Sequence, residues 1–257
     1  ALQPVKEVAK YCHEHCILFH TDAAQAVGKV SIALDETGIS DSVDMITIVG
    51  HKFGAPKGIA CLYIRPNCFE EKKRTEPKHY LLLGGGQESG RRAGTENVPY
   101  IVALGRAADI LVAKNRYRQF RWKQNATRME AMRTRLLQNL MNELGEDVVR
   151  PNGPVDAAKR LPNTLSVGLR NVHSGELLKE IQMKVACSAG SACHSSGGKL
   201  SAILEAMKVP LEFARGTLRL SVGPDTTQDD VDLASRIIIE AVKLQLDPVF
   251  EPCMDTF

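Results

Sequence analysis

No run of apolar residues in this chain is long enough to span a bilayer, which excludes a helical membrane-spanning protein. Ala1 opens an ordinary amphipathic pattern, not a charged segment followed by an apolar block, so no secretory leader is expected. A net charge of +3 is too small to point to nucleic acid or a membrane surface as a partner. Seven cysteines, odd in number and unevenly spread, do not make a disulfide framework. They suit reduced thiols in an intracellular, cytoplasmic protein. Internal repeats and low-complexity tracts are also lacking, which sets aside repeat architectures. What is present is a 257-residue chain, 44% hydrophobic and 25% charged, able to bury one or two sizeable cores.

Residues 3–14 read as helix, with Val5, Val8, Ala9 and Cys12 at helical spacing. Cys16 to Phe19 reads as a short strand running into His20-Thr21-Asp22-Ala23-Ala24-Gln25. An acid at the carboxyl end of a buried strand sits where open α/β sheets bind ligands, and Asp22 is equally suited to cap a following helix. The next strand, Val43–Val49, feeds Gly50-His51-Lys52, and glycine and proline turns lead on to a further apolar run at Ala60–Ile64. A lysine at a strand end between glycine-rich turns is placed to bond a carbonyl cofactor. The same window alone also fits a solvated loop lysine. Short apolar strands alternating with helices predict an α/β fold with a mostly parallel sheet.

Leu81–Thr95 is rich in glycine and ends in Arg91-Arg92-Ala93-Gly94-Thr95. Glycines let backbone amides approach an anion, and arginines with a threonine hydroxyl suit a phosphate. A solvated surface loop is the alternative. From Val98 to about Leu144 the pattern is helical, with stripes at Ile101, Leu104, Ala108 and Leu111 and at Met129, Met132, Leu136 and Leu140. The basic, aromatic stretch from Arg116 to Trp122 between them reads as a bend with a solvated face. Pro151-Asn152-Gly153-Pro154 marks a break. We therefore place one domain at 1–150 and a small α+β domain at 151–257. Strands are expected in the second at 163–169, 185–189 and 218–222, with helices at 174–182, 201–207 and 229–246. Thr227 is the expected cap of the last helix.

Ser188 to Gly198 is a loop of small residues with Cys193 at its tip and His194 beside it. Small neighbours leave a thiol accessible, and a neighbouring histidine favours thiolate; a buried structural cysteine is the alternative. Zinc fits poorly, because Cys12, Cys16, Cys187 and Cys193 do not form two close ligand pairs, so no metal is expected. Arg219, between Leu218 and Leu220, needs a carboxylate partner. A substrate carboxylate and an internal acid serve equally well.

Together, His-Thr-Asp-Ala-Ala-Gln (20–25), Gly-His-Lys (50–52), Gly-Gly-Gly-Gln-Glu (84–88), Arg-Arg-Ala-Gly-Thr (91–95), Gly-Ser-Ala-Cys (190–193) and Leu-Arg-Leu-Ser-Val-Gly (218–223) resemble the NifS-like cysteine desulfurases and selenocysteine lyases. These are pyridoxal-phosphate enzymes of the class V aminotransferase fold. Thr-Ile-Val-Gly-His-Lys (47–52) and Ala-Cys-His-Ser (192–195) look closer to the selenocysteine lyases, since Val49 stands where iron–sulfur desulfurases usually have serine.

The resemblance implies fold type I, with part of a large domain and a small C-terminal domain. It implies pyridoxal 5'-phosphate as cofactor, with Lys52 bonded to it and later moving the substrate Cα proton. Asp22 would pair with the pyridinium nitrogen, Gln25 with the phenolic oxygen, and His51 with the phosphate. Thr95 would reach the phosphate of a neighbouring subunit in a homodimer. Arg219 would hold the α-carboxylate of selenocysteine or cysteine, and Cys193 would receive the selenium or sulfur, leaving alanine. Family members carry a long further segment ahead of the first helix seen here, including a phosphate-cradling loop and a histidine stacked on the cofactor ring. The chain is therefore expected to be a truncated form with weakened cofactor binding. A non-catalytic isoform acting through dimer-type contacts, and an aminotransferase without thiol chemistry, are the alternatives.

Overall fold

The computed structural model describes residues 1–34, 39, 41–76, 80–190 and 201–247. The chain divides into two compact units, Gln3–Asn125 and a second comprising Ala1–Leu2 with Ala126–Phe257.

In the first unit, α1 (Val5–Glu14) buries Ala9 completely and ends where Cys16 takes a positive φ of 54°. β1 (His20–Asp22) then pairs in parallel with β2 (Met45–Val49), in the register His20↔Met45, Thr21↔Ile46, Asp22↔Thr47. The strand starts later than Cys16–Phe19 because pairing can begin only where β2 does. At Phe19 the carbonyl accepts from the amides of Asp44 and Met45, while the amide donates to the Asp44 side chain and not to a neighbouring strand. β3 (Ala60–Ile64) returns antiparallel to β2, so the three-stranded sheet is mixed. The connection at 50–59 is too short to carry the chain back across the sheet, which a parallel neighbour would require. The remaining pieces are α2 (Cys68–Glu71), the single turn α3 (Gln87–Gly90) and α4 (Val98–Val112). Asn97 caps α4 by accepting from the Tyr100 amide. The expected α4 stripe is not buried, since Ala107 alone in that helix is closed off from solvent. Val98, Val102 and Val112 are each more than half exposed.

α5 (Arg121–Leu144) belongs mainly to the second unit, and its Met129, Met132, Leu136 and Leu140 form the buried stripe that their spacing predicts. They pack on an antiparallel sheet ordered β4-β5-β7-β6, with β4 at Val149–Pro151, β5 at Thr164–Leu169, β6 at Ser188–Ala189 and β7 at Leu218–Ser221. α6 (Ser174–Ile181), α7 (Ala202–Ala206), α8 (Leu211–Ala214) and α9 (Gln228–Leu246) complete the unit. Leu177 and Ile181 of α6 and Val231, Ile238 and Val242 of α9 share its core. Thr227 caps α9 as expected, in a reciprocal box: its hydroxyl accepts from the Asp230 amide while the Asp230 carboxylate accepts from the Thr227 amide.

α9 is tied to α5 on the outer side of that core. Arg135 donates two hydrogen bonds to Asp232, at 2.7 and 2.6 Å, and Asn139 donates a third at 2.8 Å. The Arg135 and Asn139 hydrogen bonds lower the Asp232 carboxyl from 3.8 to about 2. A depressed folded-state value contributes stability that is present above pH 3.8 and lost as pH falls through about 2. Urea-unfolding midpoints of wild type and Asp232→Asn should therefore differ at pH 6 and draw together as pH falls toward 2. An equal difference at both pH values would show that this carboxylate is not linked to folding.

Candidate functional site

The parallel pairing of β1 and β2 brings the carboxyl ends of both strands to one edge of the sheet, and the sequence hangs polar groups from each. On β1, Asp22 is exposed, and one of its carboxylate oxygens accepts from the Ala24 amide at 2.8 Å. That is an Asx turn, and residues 24–29 continue as turns, so Asp22 does not cap a helix. Gln25 follows within those turns, also exposed. His20 Nε2 shares a 2.9 Å hydrogen bond with the Thr47 hydroxyl across the two strands.

β2 ends in a 3₁₀ turn, Gly50–Lys52, that lifts His51 and Lys52 into solvent. The turn starts at Gly50 for a steric reason. The Gly50 amide donates to the Ile59 carbonyl at 3.0 Å, and a Cβ at that position would stand 2.9 Å from the same oxygen. Only glycine allows this approach. Lys29 donates from Nζ to the Lys52 carbonyl at 3.2 Å, and burial first, then the charge of Lys52, lowers its amine below the usual lysine range.

Asp22, Gln25, His51 and Lys52 thus lie on the two segments that leave adjacent parallel strands at the same end. Thr95 belongs to the same unit and is exposed after Gly94. The loop before it carries consecutive left-handed residues, Glu88 and Ser89, with φ of 50° and 56°. For non-glycine residues this conformation is sparsely populated and carries strain. Arg91 is engaged within the unit: its guanidinium donates twice to Glu76, at 2.5 and 3.1 Å, and this pairing raises its pKa further.

Arg219 lies in the second unit on β7, where burial alternates along the strand. The alternation buries Leu218 and Leu220 and turns Arg219 to the opposite, exposed face, level with Ser166 on one side and Ser188 on the other. Its apolar neighbours in sequence therefore say nothing of its surroundings. None of the ion pairs among the described residues involves it. Cys193 and its loop fall outside the described residues. Cys187, just before β6, is half-buried, and burial pushes its thiol pKa up, away from the thiolate form. Among the described residues no cluster of three or more His, Cys, Asp or Glu side chains could hold a metal ion, and no helix is long and apolar enough to cross a membrane.

One group that sequence reasoning passed over holds the site's scaffold. Asp44, completely buried just before β2, accepts from the Phe19 amide at 2.9 Å and from Arg65 at 2.8 Å. The buried Lys72 ammonium stands 3.7 Å from its other oxygen. Asp44 thus joins the segment entering β1, the start of β2 and the end of β3. Its one sequence signal was an acid inside an apolar strand run, Val43-Asp44-Met45.

Residues 1–233 match the model of the aminotransferase class-V family, and the chain belongs to that family. Its curated relatives include a cysteine desulfurase of Gluconacetobacter diazotrophicus, 40% identical over 231 residues, which are 89% of this chain and 52% of that protein. The cysteine desulfurase IscS of Clostridium botulinum is 33% identical over 256 residues, covering 98% and 59%. Among solved structures, a NifS-like protein superposes with a TM-score of 0.75 at 31% identity, over 94% of this chain and 57% of that one. The NifS-like protein from Rickettsia africae gives 0.71 at 26% identity, over 94% and 58%. The chain therefore spans little more than half the length of these relatives. The fold is that of the pyridoxal-phosphate enzymes of fold type I, and pyridoxal 5'-phosphate is the cofactor of the family.

The donor set fits that cofactor. An exposed amine, a carboxylate, an amide and an imidazole stand on the two segments leaving one edge of the sheet, and groups of these kinds suit a ligand with an aldehyde, a ring nitrogen and a phosphate. The scaffold beneath depends on Asp44, because its removal leaves the buried Lys72 as an uncompensated cation and Arg65 with Glu71 alone. Asp44→Ala should cost about 3–5 kcal/mol in urea unfolding of the first unit. A loss below about 1 kcal/mol would show that water screens these charges as it does at a surface.

Proposed function

We propose that this chain carries the cofactor-anchoring lysine and acid of a pyridoxal-phosphate-dependent lyase that removes the side-chain sulfur of L-cysteine, or the selenium of L-selenocysteine, to leave L-alanine. The supporting observation is the register of β1 on β2, which sets Asp22 and Lys52 at the ends of adjacent parallel strands. That the curated relatives are called cysteine desulfurases favours sulfur. Val49 and His194 favour the selenium reading, through the likeness of their motifs to the selenocysteine lyases.

Pyridoxal phosphate, when bound, supplies an electron sink for negative charge at the substrate Cα. The protein groups around it have separate tasks. Lys52 holds the cofactor through its amine and, once substrate has replaced it, carries the proton to and from Cα. Asp22 keeps a proton on the ring nitrogen by charge pairing. Gln25 donates a hydrogen bond to the ring oxygen, His51 serves the phosphate, and Thr95 serves the phosphate of a neighbouring subunit. Arg219, whose guanidinium is exposed, recognises the substrate carboxylate by a two-point hydrogen bond. Cys193 takes the sulfur: the substrate C–S bond breaks, an S–S bond forms on the thiol to give a persulfide, and the thiol's proton is balanced by the one gained at the alanine methyl group.

A second reading has an observation of its own. The apolar residues exposed on α4 suit a non-catalytic form that associates through that helix. Such a form would be a homodimer or would pair with a longer relative.

Reaction of the purified chain with pyridoxal phosphate, borohydride reduction and peptide mapping tests the first reading. A pyridoxyl adduct concentrated on Lys52, and lost in Lys52→Ala, is expected. Label scattered over exposed lysines in both proteins would overturn the anchoring role.

A further inference from the structure

The turn that presents Lys52 leaves one of its carbonyls without a partner from the turn itself. Both the Phe53 and the Ala55 amides donate to Gly50, at 3.0 and 3.1 Å, and the Lys52 carbonyl is passed over. Carbonyls at the end of a helical turn lack intrahelical partners, and a basic side chain is one of the groups that can serve them. Here the donor is Lys29 Nζ, at 3.2 Å.

Lys29 reaches this carbonyl because of its neighbour. Gly28 has a φ of +74°, and a Cβ there would stand 3.1 Å from Leu111 Cδ1 and 3.6 Å from Phe53 Cβ. With no side chain at position 28, the turns after β1 lie directly against Phe53, the residue that follows Lys52. The Lys29 amide donates to Ala26, at 3.0 Å, which keeps the turn closed. The half-buried Lys29 ammonium is thereby directed to the Lys52 backbone and gives up part of its hydration to stay there.

We propose that Lys29 is a positioning residue for Lys52: by holding the Lys52 carbonyl it fixes the backbone from which the Lys52 amine is presented to the cofactor. The inference rests on the reading of Lys52 as the anchoring lysine, but its mechanical part stands apart from it. Lys29 touches neither cofactor nor substrate in this role. It joins the β1 segment that carries Asp22 to the β2 segment that carries Lys52, so that the two groups keep their spacing.

Two measurements on the full chain, as wild type, Lys29→Met and Lys29→Arg, separate the parts. Amide hydrogen exchange without cofactor reports the turn alone. Lys29→Met should speed exchange at Phe53 and Ala55 by about tenfold, the equivalent of one hydrogen bond to a charged group. Lys29→Arg, which keeps a donor, should restore slow exchange, and the urea midpoint should move little in either variant. Borohydride trapping with limiting pyridoxal phosphate reports the consequence: the Lys52 adduct should fall by a similar factor in Lys29→Met and recover in Lys29→Arg. Unchanged exchange in Lys29→Met overturns the positioning role whatever the trapping shows. Faster exchange that arginine does not rescue overturns it as well, since packing would then be the cause. Were wild type to give no Lys52 adduct while exchange behaved as expected, the cofactor reading would fail and the positioning of Lys52 would stand.

Discussion

The parallel pairing of β1 with β2 is the constraint on which the first unit depends, and a single buried carboxylate secures it. Two short strands in parallel share few hydrogen bonds, and β1 is only three residues long. Asp44 adds what the ladder lacks. It takes the Phe19 amide just before β1 begins and draws in Arg65 just after β3 ends. Burying an acid with two cations is expensive in desolvation, and hydrophobic packing would stabilise as well. What the charge cluster adds is direction. It fixes which end of β1 lies beside which end of β2, and therefore sends Asp22 and Lys52 out of the same edge.

The second unit is organised differently, by apolar periodicity. α5 and α9 lay their stripes on an antiparallel sheet in which alternate residues face the core, so the inward set is simply every second residue. That rule decides the fate of Arg219. On β7, Leu218 and Leu220 enter the core and Arg219 therefore cannot; its charge remains in solvent without needing an internal acid.

Much of this was legible in the sequence because it is encoded locally. The runs at 45–49 and 60–64, the stripe from Met129 to Leu140 and the Thr227 cap each announce themselves by period or by one residue type at one offset. The strand ends bearing Asp22 and Lys52 were legible for the same reason. Three features were not, and each depends on a partner distant in sequence. β1 starts at His20 and not at Cys16 because β2 limits the pairing. Asp44 gains its meaning from the Phe19 amide, Arg65 and Lys72. α4 forms where its pattern says, yet apolar spacing records what a helix could bury, not what lies against it, and most of its apolar residues remain open.

The two units also divide the candidate chemistry by the kind of precision it needs. Anchoring a cofactor requires a carboxylate and an amine held at fixed spacing, and both come from one sheet edge through short connections: an Asx turn at Asp22 and a 3₁₀ turn at Lys52. Backbone bonds close both turns, Lys29 supplies the partner that the Lys52 carbonyl lacks, and Gly50 permits a contact that any side chain would break. Arg219, by contrast, is exposed on the strand face turned away from the core, and a long guanidinium side chain tolerates variation in where a carboxylate arrives. Fixed geometry for the groups proposed to serve the cofactor, and reach for the group proposed to serve the substrate, are what the proposed reaction asks of each. The elements that supply them differ accordingly: a turn locked by backbone hydrogen bonds in one unit, and a strand residue facing solvent in the other.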